Sequence, residues 1–314
     1  MSMPHRMVRR LERAKALDKV AGPVSAAAQR MVRPRLVRNF LSGTDLGHPL
    51  HPALTDVAIG AWSMSTLLDA AGGPDAEPAA DMLVKAGIVA AVPTALSGLN
   101  DWSDTVGADR RVGLVHAVAN STALTLYAAS LAARLRGDRR AGRAFGLAGF
   151  GVLAASAYLG GHLSFVRGVN VNHTAFQHGP QEWTPVLSES DLPDGEHRTV
   201  HADGVPVLLY RTDRQVFALG ATCTHMGGPL GEGTIADGCV TCPWHGSTFR
   251  FSDGGIVRGP ASTPEPRFET RVRDGRIEVR VPPAGAPARK GEGAHAGPAE
   301  RMGRAARRRM ARVS

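Results

Sequence analysis

The sequence predicts a multidomain protein in which an N-terminal all-α four-helix transmembrane bundle is followed by a C-terminal all-β domain. Three observations support this fold class. Apolar residues concentrate between positions 53 and 165, short β-rich segments alternate with turns after position 184, and both ends of the chain are strongly basic. The expected order is a basic arm, the transmembrane domain, a linker, the β domain and a basic disordered tail. The expected boundaries are 1–40, 41–167, 168–183, 184–283 and 284–314.

Four apolar segments approach the length of about 20 residues that a helix needs to cross a membrane. The third and fourth segments contain no charged residue, whereas the first contains Asp56 and Asp69. Gly87 and Gly98 belong to a series of small residues at helical spacing, which lets membrane helices pack closely. Buried helices of a large soluble protein are the alternative. The four segments are 53–71, 81–100, 112–133 and 144–165.

The distribution of basic residues predicts the orientation of this domain. Residues 1–40 contain ten lysines and arginines, while the first predicted loop, 72–80, contains none. Because basic loops remain in the cytoplasm, we expect a multi-pass protein of the inner (cytoplasmic) membrane with the β domain on the cytoplasmic side. Five arginines of the third predicted loop oppose this orientation. They are Arg134, Arg136, Arg139, Arg140 and Arg143.

The net charge of +9 suits either nucleic acid or an anionic membrane surface as a partner. The sequence contains no helix-turn-helix, zinc-finger or RNA-binding pattern, so we expect membrane lipid and no nucleic acid. The arm 1–40 could bind anionic lipid or remain a solvated basic segment. The sequence does not predict an oligomeric state.

Histidines collect at one end of the predicted bundle. His48 and His51 open the first helix, His116 opens the third, and His162 closes the fourth. Ionisable groups inside a membrane are functional candidates, because burying them is costly. His116 and His162 could hold a haem b as axial ligands, and the group could also hold a quinone or a metal. A satisfied polar network at the helix ends is the alternative.

Short motifs stand at the ends of the predicted helices. They are GHPLHP at 47–52, Gly98-x-x-Asp101-Trp102 and Gly160-Gly161-His162. In these motifs residues 40–175 resemble an uncharacterised family of four-helix bacterial membrane proteins with a GHPxHP motif. The resemblance implies a membrane domain and no particular reaction. Such domains occur fused to redox modules.

The β domain is predicted from short β-rich segments separated by turn signals. The turn signals in this region include Asp-Gly pairs at 203–204, 237–238, 253–254 and 274–275. The three cysteines of the chain, Cys223, Cys239 and Cys242, also lie there. An odd and clustered set is not a disulfide framework, and it indicates metal or cofactor binding in a reducing compartment.

Two cysteines each have a histidine close behind them. Cys223-Thr224-His225 is followed, after sixteen residues, by Cys242-Pro243-Trp244-His245. Two cysteines can hold one iron of a [2Fe-2S] cluster while two histidines hold the other iron. A zinc ion on the same four ligands is the alternative.

With the following Gly246, these residues resemble the ligand loops of a Rieske iron–sulfur domain, and the resemblance spans residues 184–283. It implies a [2Fe-2S] cluster held by Cys223, His225, Cys242 and His245. Quinol-oxidising members carry a disulfide where this chain has Gly227-Gly228 and Trp244, so the chain is similar to the ferredoxin and oxygenase-type branch.

The same resemblance bears on further residues of the β domain. Ser247 matches a serine that donates a hydrogen bond to cluster sulfur. Gly259 and Pro260 match a loop that covers the cluster, with an ordinary turn as the alternative. Cys239 matches no ligand, and we expect it to be a small buried hydrophobic side chain. Phe249 stands where the high-potential branch often has a tyrosine, so a low-to-intermediate reduction potential is expected.

The sequence therefore predicts a membrane-anchored electron-transfer protein. Its Rieske cluster would pass single electrons on the cytoplasmic side to a redox partner protein, or to a haem or quinone in the membrane domain. Two alternatives are an electron-supplying, ferredoxin-like component of an oxygenase or reductase system, and a redox sensor or assembly module without enzymatic activity. Only about 30 residues follow the β domain, too few for the catalytic iron domain of an oxygenase. We therefore expect an electron-transfer component and not a complete enzyme.

Overall fold

The structure is a computed structural model that describes residues 3–283. The expected disordered tail, 284–314, lies outside the described residues. The chain divides into two compact units. The first unit consists of the described part of Met1–His173 together with Thr224–Met226 and Arg258–Thr263. The second unit consists of Thr174–Cys223, Gly227–Val257 and the described residues from Pro264 onward.

Seven α-helices form the described part of the first unit. Three shorter helices precede four long ones, and the last helix continues into a short π-helical turn, His162–Val166. The short helices are α1 (Met3–Arg13), α2 (Asp18–Met31) and α3 (Arg35–Ser42). The long helices are α4 (Leu50–Ala71), α5 (Glu77–Ser103), α6 (Gly107–Leu135) and α7 (Arg139–Gly161).

The long helices form a closed four-helix bundle, in which each helix packs against the next and α7 packs against α4. The Trp62 and Tyr127 rings stack at its centre, with centroids 4.2 Å apart and planes 4° apart. Gly87, one of the small residues noted in the sequence, faces this stack. A Cβ atom there would lie 2.3 Å from Nε1 of Trp62, so the indole ring requires a glycine at this position.

The bundle is built from two equivalent helical hairpins, α4–α5 and α6–α7. In the first hairpin, His51 of α4 places Nδ1 3.0 Å from the carbonyl oxygen of Thr94 in α5. In the second, His116 of α6 places Nδ1 2.9 Å from the carbonyl oxygen of Ser156 in α7. Each imidazole thus holds the neighbouring helix of its own hairpin in the same way.

A second pair of equivalent contacts lies at the opposite end of the hairpins. The Ser65 hydroxyl donates to the carbonyl oxygen of Ala80 at 3.0 Å, and the Ser130 hydroxyl donates to that of Gly142 at 2.6 Å. Ser130 follows Ser65 by the same number of residues as the second of the two histidines follows the first. Gly142 likewise follows Ala80 by the same number of residues as the acceptor of the second histidine follows that of the first. The two hairpins therefore share one internal register.

Equivalent positions also meet where the two hairpins join. Trp62 and Tyr127, the stacked rings of the core, have the same separation along the chain as His51 and His116. The centre of the bundle is therefore a contact between corresponding residues of its two halves.

Three of the four long helices have the length and composition to cross a membrane. Helix α4, expected as the first of four spans, forms a helix of 22 residues but is not among them. Asp56, Asp69 and His51 lower its apolar content. The expected count of four spans is therefore not matched by composition. Within the described residues, the candidate spans are Pro74–Ser103, Gly107–Leu135 and Arg139–Val166.

Charged side chains gather where α6 ends and α7 begins. The side chain of Arg134 is only 1% exposed, forms an ion pair with Asp69 and donates a 2.8 Å hydrogen bond to Asp81. Arg139 and Arg143 both form ion pairs with Glu77. Acidic side chains of α4 and α5 thus neutralise three of the five arginines that opposed the predicted orientation.

The second unit contains two antiparallel sheets. The strands of the larger sheet are β1 (Thr184–Ser188), β2 (His197–Ala202), β3 (Val205–Thr212), β4 (Gln215–Gly220), β9 (Arg267–Arg273) and β10 (Arg276–Arg280). The smaller sheet has β5 (Thr234–Ala236), β6 (Cys239–Thr241), β7 (Thr248–Arg250) and β8 (Ile256–Arg258). The larger sheet has the strand order β1-β10-β9-β4-β3-β2, and the smaller has the order β5-β6-β7-β8. Buried Val207, Leu209, Ala218, Ile277 and Val279 belong to the core of the larger sheet.

The predicted Asp-Gly turns connect these strands. At 203–204, 237–238 and 274–275, both residues have positive φ, between 48° and 77°, as tight hairpin turns require. At 253–254 only the glycine does, with φ of 72°. The all-β prediction for this region is confirmed.

Arg134 should be a main determinant of the stability of the helical unit. Arg134→Gln leaves the carboxylates of Asp69 and Asp81 without their most buried cationic partner, and breaking a buried ion pair costs about 3–5 kcal/mol. We expect a lower melting temperature for the detergent-purified protein. Arg136→Gln removes an equal charge from an exposed position of the same chain segment and should leave the melting temperature unchanged. Equal melting temperatures for the two variants would contradict this role.

Candidate metal centre

The first cysteine–histidine pair lies on a loop after β4. The Cys223 amide donates to the carbonyl oxygen of Gly228 at 2.8 Å, and the Gly227 amide donates back to that of Cys223 at 2.9 Å. Gly227 has φ of 76°, a conformation that side chains disfavour. The glycine therefore closes a tight turn that begins at the cysteine.

The second pair lies between β6 and β7 and repeats this geometry. The Cys242 amide donates to the carbonyl oxygen of Ser247 at 2.8 Å, and the Gly246 amide donates to that of Cys242 at 3.1 Å. Gly246 also has φ of 76°. In both loops, the residue four positions after the cysteine is a left-handed glycine whose amide returns to the cysteine.

The two thiols are brought together. The hydrogen bond that Cys223 donates lowers the pKa of Cys242 to about 7, and the backbone amides of Trp244 and His245 act in the same direction. A Cβ atom on Gly228 would lie 2.7 Å from Sγ of Cys242, so only glycine leaves room beside the sulfur. This is a donor set from which a metal can readily displace protons.

The two histidines have different surroundings. His225 belongs to the first unit, where its side chain is 4% exposed and Nε2 lies 3.8 Å from Oδ2 of Asp104. His245 is partly exposed and follows Trp244, which is 57% exposed. In residues 3–283, no group of three or more His, Cys, Asp or Glu side chains is placed to hold one metal ion. Each iron of a [2Fe-2S] cluster needs only two protein ligands.

Ser247 and the Gly259-Pro260 loop, which the sequence assigned to the surroundings of the cluster, are each held within their own unit. Ser247, in the second unit, is fully buried. Gly259 and Pro260, in the first unit, are joined by a cis peptide bond, and the Gly259 amide donates to Oδ1 of Asn39 at 2.9 Å. A Cβ atom on Gly259 would lie 2.5 Å from Oγ1 of Thr44, so this loop too requires its glycine.

Cys239 lies on β6, in register with Arg250 of β7. Its side chain is half-buried, and burial raises the pKa of its thiol. Its sulfur lies 3.6 Å from the carbonyl oxygen of Asp237. These contacts give Cys239 the character of a protonated structural thiol, less deeply buried than the sequence suggested.

The histidines of the helical bundle are engaged with protein partners. Nδ1 of His116 lies 2.9 Å from the carbonyl oxygen of Ser156, and Asn120 Nδ2 lies 3.0 Å from its Nε2. His162 Nε2 lies 3.2 Å from Oε1 of Glu12. These contacts match the satisfied polar network that the sequence left open as an alternative. They give no support to a haem or a quinone.

His51 lies in the first turn of α4, and His48 lies two residues before the helix begins. His48 is exposed and contacts the carbonyl oxygen of its neighbour Pro49 at 2.7 Å. His51 packs against Gly98, where a Cβ atom would lie 2.7 Å from the imidazole ring. Gly98 therefore serves the approach of His51, which gives the second motif of the helical region a packing role.

Sequence reasoning missed Asp104 and Arg38. Both are buried, and they form an ion pair in the first unit. Arg38 also donates a 3.0 Å hydrogen bond to Oδ1 of Asn100. The position of Asp104, two residues after the Asp101-Trp102 motif, is the feature of the sequence that could have drawn attention to it. Arg38 is one of the ten basic residues of the arm 1–40 and has no distinguishing feature in the sequence.

Comparisons with known proteins identify both parts of the chain. The family described as Rieske [2Fe-2S] domain matches residues 182–275, and the family described as Predicted membrane protein (DUF2231) matches residues 47–173. The Ferredoxin CarAc of Metapseudomonas resinovorans is 35% identical over 32% of this chain and 94% of its own length. The anthranilate 1,2-dioxygenase ferredoxin subunit of Burkholderia cepacia is 30% identical over 32% of this chain and 93% of its own length.

Other relatives share only this region. Human (Homo sapiens) apoptosis-inducing factor 3 is 34% identical over 31% of this chain, and the chain spans only 16% of that protein. Among solved structures, the ferredoxin in the complex of reduced oxygenase and oxidized ferredoxin in carbazole 1,9a-dioxygenase is 35% identical, with a TM-score of 0.30. That match covers 32% of this chain and 94% of the other. From the near-complete coverage of two ferredoxins, together with the paired ligand loops, the chain belongs to the Rieske [2Fe-2S] domain family, and it carries a DUF2231 membrane domain before the Rieske domain.

Proposed function

We propose that this protein is a membrane-anchored electron carrier whose [2Fe-2S] cluster exchanges single electrons with a separate redox partner protein. The observation that carries the proposal is the pair of equivalent ligand loops, with the thiols of Cys223 and Cys242 brought together between two left-handed glycines. Cys223 and Cys242 would hold one iron, and His225 and His245 the other. The bound cluster supplies a site that gains or loses one electron.

The surrounding residues would tune that site. The amides of Trp244 and His245 point at the sulfur of Cys242, and hydrogen bonds to cluster ligands favour the reduced, more negative state. The buried Ser247 hydroxyl would act in the same way. In the described part of the chain the cysteines form no disulfide, which suits a reducing compartment.

The partner would approach the second ligand loop. Pro243 and Trp244 are exposed, whereas Thr224 and His225 of the first loop are buried. The nearly full-length similarity to ferredoxins of dioxygenase systems favours a second, more specific reading, in which this partner is an oxygenase or a reductase. This chain would then supply electrons and leave the chemistry to its partner.

The membrane domain would serve as the anchor and hold the Rieske domain on the cytoplasmic side. Helix α4 would cross with the other three helices, because its Asp69 is paired with Arg134 and is not presented to lipid as a bare charge. An even number of crossings would bring both ends to the side of the ten basic residues in 1–40. The ion pairs of Arg139 and Arg143 weaken the opposing signal of the third loop.

The cluster assignment predicts a Rieske-type EPR signal in the dithionite-reduced protein, with two iron atoms per chain. Replacing any of the four ligands should abolish the signal, because each iron has only two protein ligands. The variants are Cys223→Ser, Cys242→Ser, His225→Ala and His245→Ala. Cys239→Ser is the matched control, and it should keep the signal because its thiol is outside the ligand set.

Metal analysis of the purified protein separates this assignment from the zinc alternative. Stoichiometric zinc without iron would overturn the proposed function. Loss of the EPR signal in a folded Cys239→Ser variant would overturn the choice of ligands.

The orientation predicts the behaviour of C-terminal reporter fusions. A fluorescent protein fused there should fluoresce, and alkaline phosphatase at the same place should be inactive, because phosphatase matures only outside the cytoplasm. Fusions in the loop between α4 and α5 should behave in the opposite way and serve as the control. An active C-terminal phosphatase would contradict the cytoplasmic assignment.

A further inference from the structure

The imidazole of His225 faces a carboxylate that no sequence motif identified. Within the first unit, Nε2 of His225 lies 3.8 Å from Oδ2 of Asp104, and both side chains are less than one-tenth exposed. This separation exceeds hydrogen-bond length but lies within ion-pair range. Because Nε2 faces Asp104, the other ring nitrogen, Nδ1, is the atom with which His225 would hold iron.

The carboxylate of Asp104 is itself held in place. It forms an ion pair with the guanidinium of Arg38 from α3, which is 6% exposed. Arg38 also donates to Oδ1 of Asn100 at 3.0 Å, and Asn100 donates to Oγ of Ser42 at 3.0 Å. Three residues of α3 and α5 thus fix the position of a buried negative charge.

The backbone around His225 is anchored to the same unit. The amide of His173 donates to the carbonyl oxygen of Thr224 at 3.0 Å, and the Thr224 hydroxyl donates to that of Thr263 at 2.8 Å. The orientation of His225 towards Asp104 is therefore constrained by its main chain as well as by its side chain.

We propose that Asp104, held by Arg38, is a positioning residue for His225, which orients the imidazole and lowers the reduction potential of the cluster. The inference rests on the proposed function, since it requires a cluster on His225. The oxidised cluster carries one more positive charge than the reduced cluster, so a nearby carboxylate stabilises the oxidised state. The low exposure of the group limits screening by water and salt.

The test is an EPR-monitored redox titration of the full chain purified in detergent. Asp104→Asn removes one negative charge while Arg38 remains, so the cluster should become easier to reduce. We expect the ratio of reduced to oxidised cluster at a fixed potential to rise about tenfold, equivalent to ~59 mV for one electron. Asp104→Glu keeps the charge and should keep a midpoint close to that of the unmodified protein.

Asp109→Asn provides the matched control. Asp109 is also partly buried and forms an ion pair with an arginine, Arg167. That ion pair does not include His225. It should leave the midpoint unchanged. If Asp104→Asn behaves like Asp109→Asn, Asp104 has no role at the cluster and the proposal is overturned.

Two further outcomes remain decisive. If Asp104→Asn loses the cluster, Arg38→Gln gives the measurement, because it keeps the carboxylate and removes the compensating cation. Its midpoint should fall, and an unchanged midpoint would overturn the proposal. If the unmodified protein itself lacks a Rieske EPR signal, the proposed function fails and this inference fails with it. A normal signal whose midpoint is unchanged in Asp104→Asn rejects only the positioning role of Asp104.

Discussion

A charged side chain can be buried only with a partner of opposite charge, and this constraint shapes both ends of the helical unit. At one end Arg134 lies among Asp69 and Asp81, and at the other Arg38 lies against Asp104. Each pair joins helices that are distant in sequence. The free-energy cost of separating these buried charges therefore determines which helices pack together. Apolar side chains alone would allow the helices to slide past one another.

The ion pair of Asp69 and Arg134 also follows from the duplicated hairpin. The two residues have the same separation along the chain as Trp62 and Tyr127, so equivalent positions of the two hairpins meet in the centre of the bundle. Two identical hairpins would bring like charges together at this place. Opposite charges at equivalent positions make the junction stable and make the two halves distinct.

The fold class and the cysteine–histidine pairs could be predicted because they depend on local patterns. Asp-Gly turns and the spacing of the two Cys-x-His and Cys-x-x-His motifs are properties of short segments. The duplication is hard to recognise from sequence, because the identical pairs are isolated single residues, such as His51 and His116, while the stacked pair Trp62 and Tyr127 is dissimilar. Asp104 was missed for a similar reason. Its role depends on Arg38, which is distant along the chain and reads as one more basic residue of the arm.

Two histidines of the helical unit, His116 and His162, also have partners that lie far away along the chain. The sequence predicts that His116 and His162 form a pair, because both lie near the same end of neighbouring helices. In the structure, His116 is engaged with Ser156 and Asn120, while His162 contacts Glu12 of α1. The partner of His162 thus lies on a helix outside the four apolar segments. These histidines hold helices of the first unit together, while the geometry of the two cysteine–histidine loops is defined by their left-handed glycines.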